Sequence, residues 1–285
     1  MLSVSSTEGS GGTAPSASQF VASESSEITA DDIVVIAAVD NLQILEACLK
    51  RSPDVRSGRI PVVTVEGAKS MAEAYNEGMS RTTRSLCIFM HQDVYLPAGW
   101  LDLALDRLNA LTAQDPKWQV AGPYGVRPGG GHVGRIWDVG IGRELGVAGF
   151  APTPVGSLDE LALIVRRDDA FQFDTALPHF HLYGTDLVQS ALARGRTAYA
   201  VELPMVHNSR LVASLRGGYW RAYHYTRRKW ARKLPIYTTV CRVTNNPLVL
   251  WRAQWVLRKV APRPPGLLAD AVDVARLAGY EGASG

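Results

Sequence analysis

The sequence predicts an α/β protein: a mostly parallel sheet flanked by helices, with a basic helical extension at its C-terminal end. Three observations predict it. From residue 32 onward, short β-branched runs alternate with segments of helical period, the pattern of parallel strands joined by crossover helices. Polar residues follow directly on the apolar runs, at the carboxyl ends of strands where such sheets hold ligands. Between residues 207 and 263 the composition changes to thirteen Lys or Arg with no Asp or Glu.

Composition sets the outer limits. A chain of 285 residues that is 46% apolar and 20% charged suits one large domain or two small ones and excludes wholesale disorder. Cys48, Cys87 and Cys241 stand far apart with no C-x-x-C pair. That argues against a disulfide framework or a thiolate zinc site and fits a reducing, cytoplasmic compartment. The longest apolar run, Ile33–Val39, is far short of the ~18–20 residues that span a bilayer, and no signal-peptide pattern opens the chain.

The elements follow in order. Residues 1–31, rich in Ser, Gly, Thr and Ala, bury too little apolar surface to offset their ordering entropy and read as a disordered leader. Ile33–Val39 is a strand buried on both faces. Leu42, Leu45, Cys48 and Leu49 recur at helical spacing as far as Ser52-Pro53. Residues 60–65 form a second strand. Residues 67–70 open a helix carrying Met71, Ala74, Tyr75 and Met79, and residues 86–90 form a third strand that ends at His91-Gln92-Asp93-Val94. After Pro97, Trp100, Leu101, Leu103, Ala104, Leu108 and Leu111 mark a further helix. A short strand over 118–121 is stopped by Gly122-Pro123, and residues 124–157 have no clean period. A strand over 161–165, a helix over 183–194 closed by Gly195, and an apolar run over 198–201 complete the body. Residues 264–285 are weakly patterned and read as a loosely attached tail.

Three places can carry chemistry. Asp93, just past a buried strand, stands where a divalent cation can meet a diphosphate, since Mg²⁺ and Mn²⁺ prefer carboxylate and phosphate oxygens; it can equally cap a turn. Asp186, in Tyr183-Gly184-Thr185-Asp186, is a carboxylate at a helix opening, suited to a general base or simply favoured there by the helix dipole. His207 can complete a metal site with one carboxylate, or serve as a hydrogen-bonded structural histidine.

In their order these residues resemble glycosyltransferase family 2 of the GT-A fold. The likeness rests on His91-Gln92-Asp93, Phe173-Asp174, Gly184-Thr185-Asp186, Gly195 and His207, and on Ser70-Met71-Ala72-Glu73-Ala74-Tyr75-Asn76-Glu77-Gly78. His91-Gln92-Asp93-Val94 with Trp100, Leu158-Asp159-Glu160, Phe180-His181-x-Tyr183 and His207-Asn208-Ser209 look like a bacterial subgroup of it. The match covers roughly residues 33–210, with further likeness around Lys229-Trp230 and Leu234-Pro235-Ile236.

The resemblance implies a GT-A (Rossmann-like) catalytic domain over 32–210 and a basic aromatic helical extension over 211–263. Asp93, joined by His207, would hold Mn²⁺ or Mg²⁺ beneath a nucleotide-sugar diphosphate. Asp186 would be the base of an inverting transfer. Ala38, Asp40, Glu66, Asn76, His91 and Gln92 would face the donor; Asp159, His181 and Tyr183 would face a glycan or lipid-linked acceptor. His91 departs from the family, which has an acid at that place. Two rival readings are a non-catalytic nucleotide-sugar-binding module and a zinc hydrolase built on His91, Asp93, His179, His181 and His207.

In the basic segment, Trp220, Tyr223, Arg227 and Trp230 lie near helical spacing, and Trp251 and Trp255 with Arg252, Arg258 and Lys259 repeat the theme. Such a segment suits an anionic membrane surface, a nucleic-acid surface, or aromatics packed on the sheet beneath solvated cations. The carboxylates and histidines have no role in plain nucleic-acid binding, so the expectation is a peripheral protein at the inner face of the cell membrane, with no nucleic-acid partner. The overall charge of +3 then conceals a net acidic body and a cationic end.

Overall fold

A computed structural model describes residues 27–168, 171–209, 214–257 and 269–281. Most of the expected leader (1–26) lies outside them, as do Arg258 and Lys259. The last leader residues are attached: Ile28 N–H donates to Asn109 Oδ1 at 2.8 Å and Asn109 Nδ2 donates back to Ile28 O at 2.9 Å.

The first strand, β1 (Ile33–Val39), is buried along nearly its whole length because alternate side chains feed two cores. Val34 and Ile36 enter one; Ile33, Val35, Ala37 and Val39 enter the other. In place of the single helix expected next, the chain makes two short ones, α1 (Leu42–Ala47) and α2 (Pro53–Arg56). Asn41 caps α1 by accepting from the Gln43 and Ile44 N–H groups. Pro53 does not merely stop a helix: it opens α2, where its missing N–H would have had no partner.

There follow β2 (Val62–Glu66), α3 (Met71–Ser80), β3 (Leu86–His91), β4 (Val94–Tyr95), α4 (Trp100–Gln114) and β5 (Trp118–Gly122). Both β2 and β3 pair with β1 in parallel. Ser70 caps α3 by accepting from Glu73 N–H, and a Cβ at Gly78 would collide with Ile36 Cγ2. The bare glycine is what lets α3 lie so near the sheet.

Beyond β5 the parallel pattern ends. The strands β6 (Tyr124–Val126), β7 (His132–Asp138), β8 (Arg143–Gly146), β9 (Thr153–Pro154) and β10 (Ser157–Leu158) carry the chain onward with no crossover helix. Consequently β11 (Ala162–Arg166) enters the sheet from the end where β5 left it and runs antiparallel to both β3 and β5. The expected α/β layout of a sheet flanked by helices thus holds, with a mixed sheet in place of a purely parallel one, because a parallel neighbour requires a crossover connection. With α5 (Tyr183–Ala193) the crossover returns, and β12 (Thr197–Ala200) lies parallel to β5. The main sheet has the order β2-β1-β3-β11-β5-β12-β9. A second sheet, β10-β6-β7-β13-β4, ends on β13 (Val206–His207) and β4, with β8 paired to β7.

Helix α6 (Gly218–Lys229) buries Tyr219, Ala222 and Tyr223 in the same core as α3 and α5, so the basic segment is continuous with the body. Helix α7 (Pro247–Leu257) buries only Leu250 fully. The expected loose tail is also attached over its described residues, because α8 (Ala271–Leu277) has its own small core: Ala271 and Ala275 pack with Tyr95, Val139 and Val206. Asn208 Nδ2 donates to Ala269 O at 2.8 Å, and the Tyr95 hydroxyl to Glu281 Oε1 at 2.5 Å.

Candidate active site

Strand pairing assembles the first part of the site. His91 ends β3 and lies opposite Ala38 at the end of β1. His207, in β13, is paired with Val94 of β4 on one side and Asp138 of β7 on the other, and Asn208 N–H donates to Asp93 O at 2.8 Å. His91, Asp93 and His207 therefore each offer a ligand atom within 4.8 Å of the others. His207 Nε2 lies 3.5 Å and His91 Nδ1 3.9 Å from Asp93 Oδ1, and the two histidines approach to 3.4 Å through these same nitrogens.

Each ring is oriented by its outer nitrogen. His207 Nδ1 faces Asp138 Oδ2 at 3.2 Å, and Asp138 is itself held by Ser209 Oγ at 3.0 Å and Ile141 N–H at 2.8 Å. His91 Nε2 is 2.7 Å from the Tyr183 hydroxyl, whose proton is directed to Glu160 O at 2.9 Å, an atom that can only accept. Since that proton is spent, His91 carries hydrogen on Nε2 and donates it to the Tyr183 oxygen. Nδ1 is left as a bare lone pair facing Asp93 and His207.

Charge supports a cation at this point. Burial would lower the His207 pKa, but the Asp93 carboxylate, aided by Asp138, outweighs it and raises it to about 10. Burial works to raise Asp93, but the His207 imidazolium beside it carries it down to about 2. His91 is lowered by burial, against the pull of Asp93. The buried Asp138 and the half-buried Asp93 thus call for positive charge, and Asp93 Oδ1 has no hydrogen-bond partner. One carboxylate and two imidazoles, each with a nitrogen turned inward, fit a divalent cation taking the place of the His207 proton. His179 and His181 do not join this group, which removes the ligand set of the zinc-hydrolase reading.

The expected donor-side residues divide. Gln92 Oε1 accepts from the Asp40 and Asn41 N–H groups at 3.1 Å, and its Nε2 donates to Asp40 Oδ1, so Asp40 and Gln92 join the ends of β1 and β3. Glu66 is exposed at the end of β2 beside Val39. Asn76 is spent elsewhere: its amide donates to Phe173 O and accepts from Phe173 N–H, both at 2.9 Å, a backbone clamp rather than an open contact.

The loop into α5 builds the other side. His179 and Leu182 adopt left-handed φ values of 67° and 62°, and Glu160 Oε1 accepts from Gly184 N–H at 3.2 Å. Burial, then the Asp159 carboxylate, push Glu160 up to about 8. Asp159 Oδ1 accepts from Leu161 N–H at 3.2 Å, and the His181 ring lies 5.5 Å from that of Tyr219. Asp186 sits one helical turn after Tyr183 and is only 3% exposed. It accepts from Lys229 Nζ on Oδ2 at 2.8 Å and from Trp230 Nε1 on Oδ1 at 2.7 Å. Burial raises its pKa against the opposing pull of Lys229. Lys229 also pairs with Asp174 Oδ2 at 2.6 Å, which the Tyr225 hydroxyl reaches at 2.7 Å. Sequence reasoning gave no role to Asp138 or Glu160. Asp138 lies in no motif, and only the pairing of β7 with β13 reveals it.

Against this geometry, residues 34–102 carry the sequence pattern of the family described as "Glycosyltransferase like family". Over 153 residues the chain is 35% identical to "ATP synthase subunits region ORF 6" of Fuscovulum blasticum, a match covering 51% of this chain and 58% of that protein. Among solved structures it is similar to the mannosyltransferase PcManGT from Pyrobaculum calidifontis in complex with GDP-Man and Mn²⁺, at 13% identity and a TM-score of 0.45, over 87% of this chain and 75% of that one. It is also similar to A197 from STIV, at 9% identity and a TM-score of 0.37, over 59% and 82% of the two chains.

Proposed function

We propose that the chain is a metal-dependent, inverting glycosyltransferase that moves a sugar from a nucleotide-diphosphate donor to a glycan or lipid-linked acceptor presented at a membrane surface. The observation that carries this reading is the pocket of His91, Asp93 and His207, whose Asp93 Oδ1 faces both histidines without a hydrogen bond, at the carboxyl ends of the strands and joined through Tyr183 to the helix that bears Asp186.

Asp93, His207 and the Nδ1 lone pair of His91 would hold Mn²⁺ or Mg²⁺. When bound, the cation neutralises charge on the departing diphosphate. Gln92 and Asp40 form the adjoining floor for the nucleoside. On the acceptor side Asp186 takes the proton of the attacking hydroxyl. Two of its roughly four lone-pair positions are committed to Lys229 and Trp230, so the carboxylate is fixed in orientation yet can still accept a proton. Its raised pKa makes it a stronger base than a solvated aspartate.

The test is calorimetry of GDP and UDP with and without Mn²⁺, combined with turnover of a nucleotide sugar. Asp93→Ala abolishes the Mn²⁺-dependent part of nucleotide binding. Asp186→Asn retains that binding and lowers transfer by about 10²–10⁴-fold. Unaltered turnover in Asp186→Asn removes it as the base, and nucleotide binding without any transfer or donor hydrolysis in the wild type would make the chain a binding module.

A further inference from the structure

We infer that α6 and α7 together form a docking face for an anionic lipid bilayer, with tryptophan and aliphatic side chains entering the interface and arginines lying on the lipid phosphates. This deepens the reading of a membrane-presented acceptor, but it stands on a surface separate from the metal pocket.

Helix α7 is seated by one stripe and bare on the other. Val249, Leu250, Ala253 and Leu257 pack on the core, whereas Leu248 and Trp251 are 66% and 67% exposed and Val256 is also exposed. Helix α6 divides in the same way: Tyr219, Ala222 and Tyr223 are buried, and Trp220 is 52% exposed. Between the two helices runs a cleft of about 340 Å³ walled by Trp220, His224, Arg227, Trp251 and Trp255. Large apolar side chains exposed on a rigid, well-packed element cost free energy unless something covers them.

The charge around the cleft says what covers them. Arg216 lines the cleft with Arg227, Arg221 and Arg228 are exposed on α6 and Arg252 on α7, and residues 207–263 contain no Asp or Glu. Among the described residues, none of these arginines makes an ion pair. A surface that is both apolar and uncompensated in positive charge complements anionic headgroups above hydrocarbon. A nucleic acid would meet the cations and the indoles, but Leu248 and Val256 offer nothing to a base or a phosphate. No helix among the described residues is long and apolar enough to cross a membrane, so the contact lies along one leaflet, with the indoles at headgroup depth.

Co-sedimentation of the full chain with phosphatidylcholine vesicles, with and without phosphatidylglycerol, tests the docking face. The expected result is pelleting with the anionic vesicles, reversed by high salt and accompanied by a blue shift of tryptophan emission. The doubly substituted Leu248→Glu/Trp251→Glu chain binds them about tenfold more weakly or worse, while its circular dichroism and Mn²⁺-dependent nucleotide binding match the wild type. Should that chain fail to fold, Arg228→Glu/Arg252→Glu, which changes only exposed charges, gives the same loss. Wild type that stays in the supernatant with anionic vesicles, substituted chains that pellet unchanged, or retention by a single-stranded oligonucleotide in place of vesicles would each overturn the proposal. Vesicle binding without nucleotide binding refutes the transferase reading and leaves the docking face standing; the converse refutes the docking face alone.

Discussion

Tyr183 has a single hydroxyl proton, and its destination decides what His91 can do. With that proton donated in a hydrogen bond to Glu160 O, the His91 ring is held in one tautomer. Tyr183→Phe removes this hold while leaving the ring among Tyr75 and Phe173, at 5.6 and 6.4 Å. The expected outcome is a fall in Mn²⁺ affinity of about 10–100-fold with little change in stability, read by calorimetry on the folded variant. Glu160 makes a different prediction. Burial, then Asp159, raise its pKa to about 8, against about 4.3 in an unfolded chain. The folded state therefore holds the proton more tightly. The cost of this group is absent below about pH 4.3, grows as pH rises, and is complete above about pH 8. Glu160→Gln keeps the acceptor for Gly184 N–H without the charge. Its unfolding free energy at pH 9, measured by denaturant titration, should exceed that of the wild type by about 2 kcal/mol after allowance for partial exposure, and the gap should close by pH 4.

At the scale of elements, the close seating of α3 on β1 makes the sharpest prediction. Gly78→Ala forces a methyl group into Ile36, and the expected loss is about 1–3 kcal/mol, measured by denaturant unfolding. The elements legible in the sequence were those whose period reports burial directly. The run Ile33–Val39 is buried on both faces, and α3 places Met71, Ala74, Tyr75 and Met79 on one side. The β7–β8 hairpin was not legible. Its buried positions include Gly134 and Asp138, so burial there does not register as hydrophobicity. The direction of β11 was hidden for another reason: its own residues are those of any central strand, and its sense is set by the missing helix between β5 and β11. The same division runs through the site. Asp93 and His207 stand out because they end apolar runs, whereas Asp138 becomes visible only when β13 is laid beside β7.

For the whole molecule, the sheet separates two large cores, and a third, small one fastens the C-terminal helix. Ala275 is fully buried in that third core with Tyr95 and Val206. Ala275→Glu would place an unpaired charge there and release α8, at about 2–4 kcal/mol; an unchanged Tm would mean that α8 contributes nothing to the fold. Strand β13 is shared between this core and the candidate metal pocket, since Val206 packs in the core of α8 and His207 joins His91 and Asp93. Helix α8 thus stands a single residue step from the candidate metal pocket.

Helix α6 has a comparable double attachment. Trp220 near its start belongs to the cationic cleft, and Lys229 at its end, followed by Trp230, grips Asp186. Its twelve residues amount to a rod of about 18 Å. Such a rod is a gauge: it limits how far Asp186 can stand from any surface that the cleft meets. If Asp186 is the base proposed above, an acceptor would be selected by reach as well as by shape, because only a hydroxyl carried to the height of Asp186 could give up its proton there and attack.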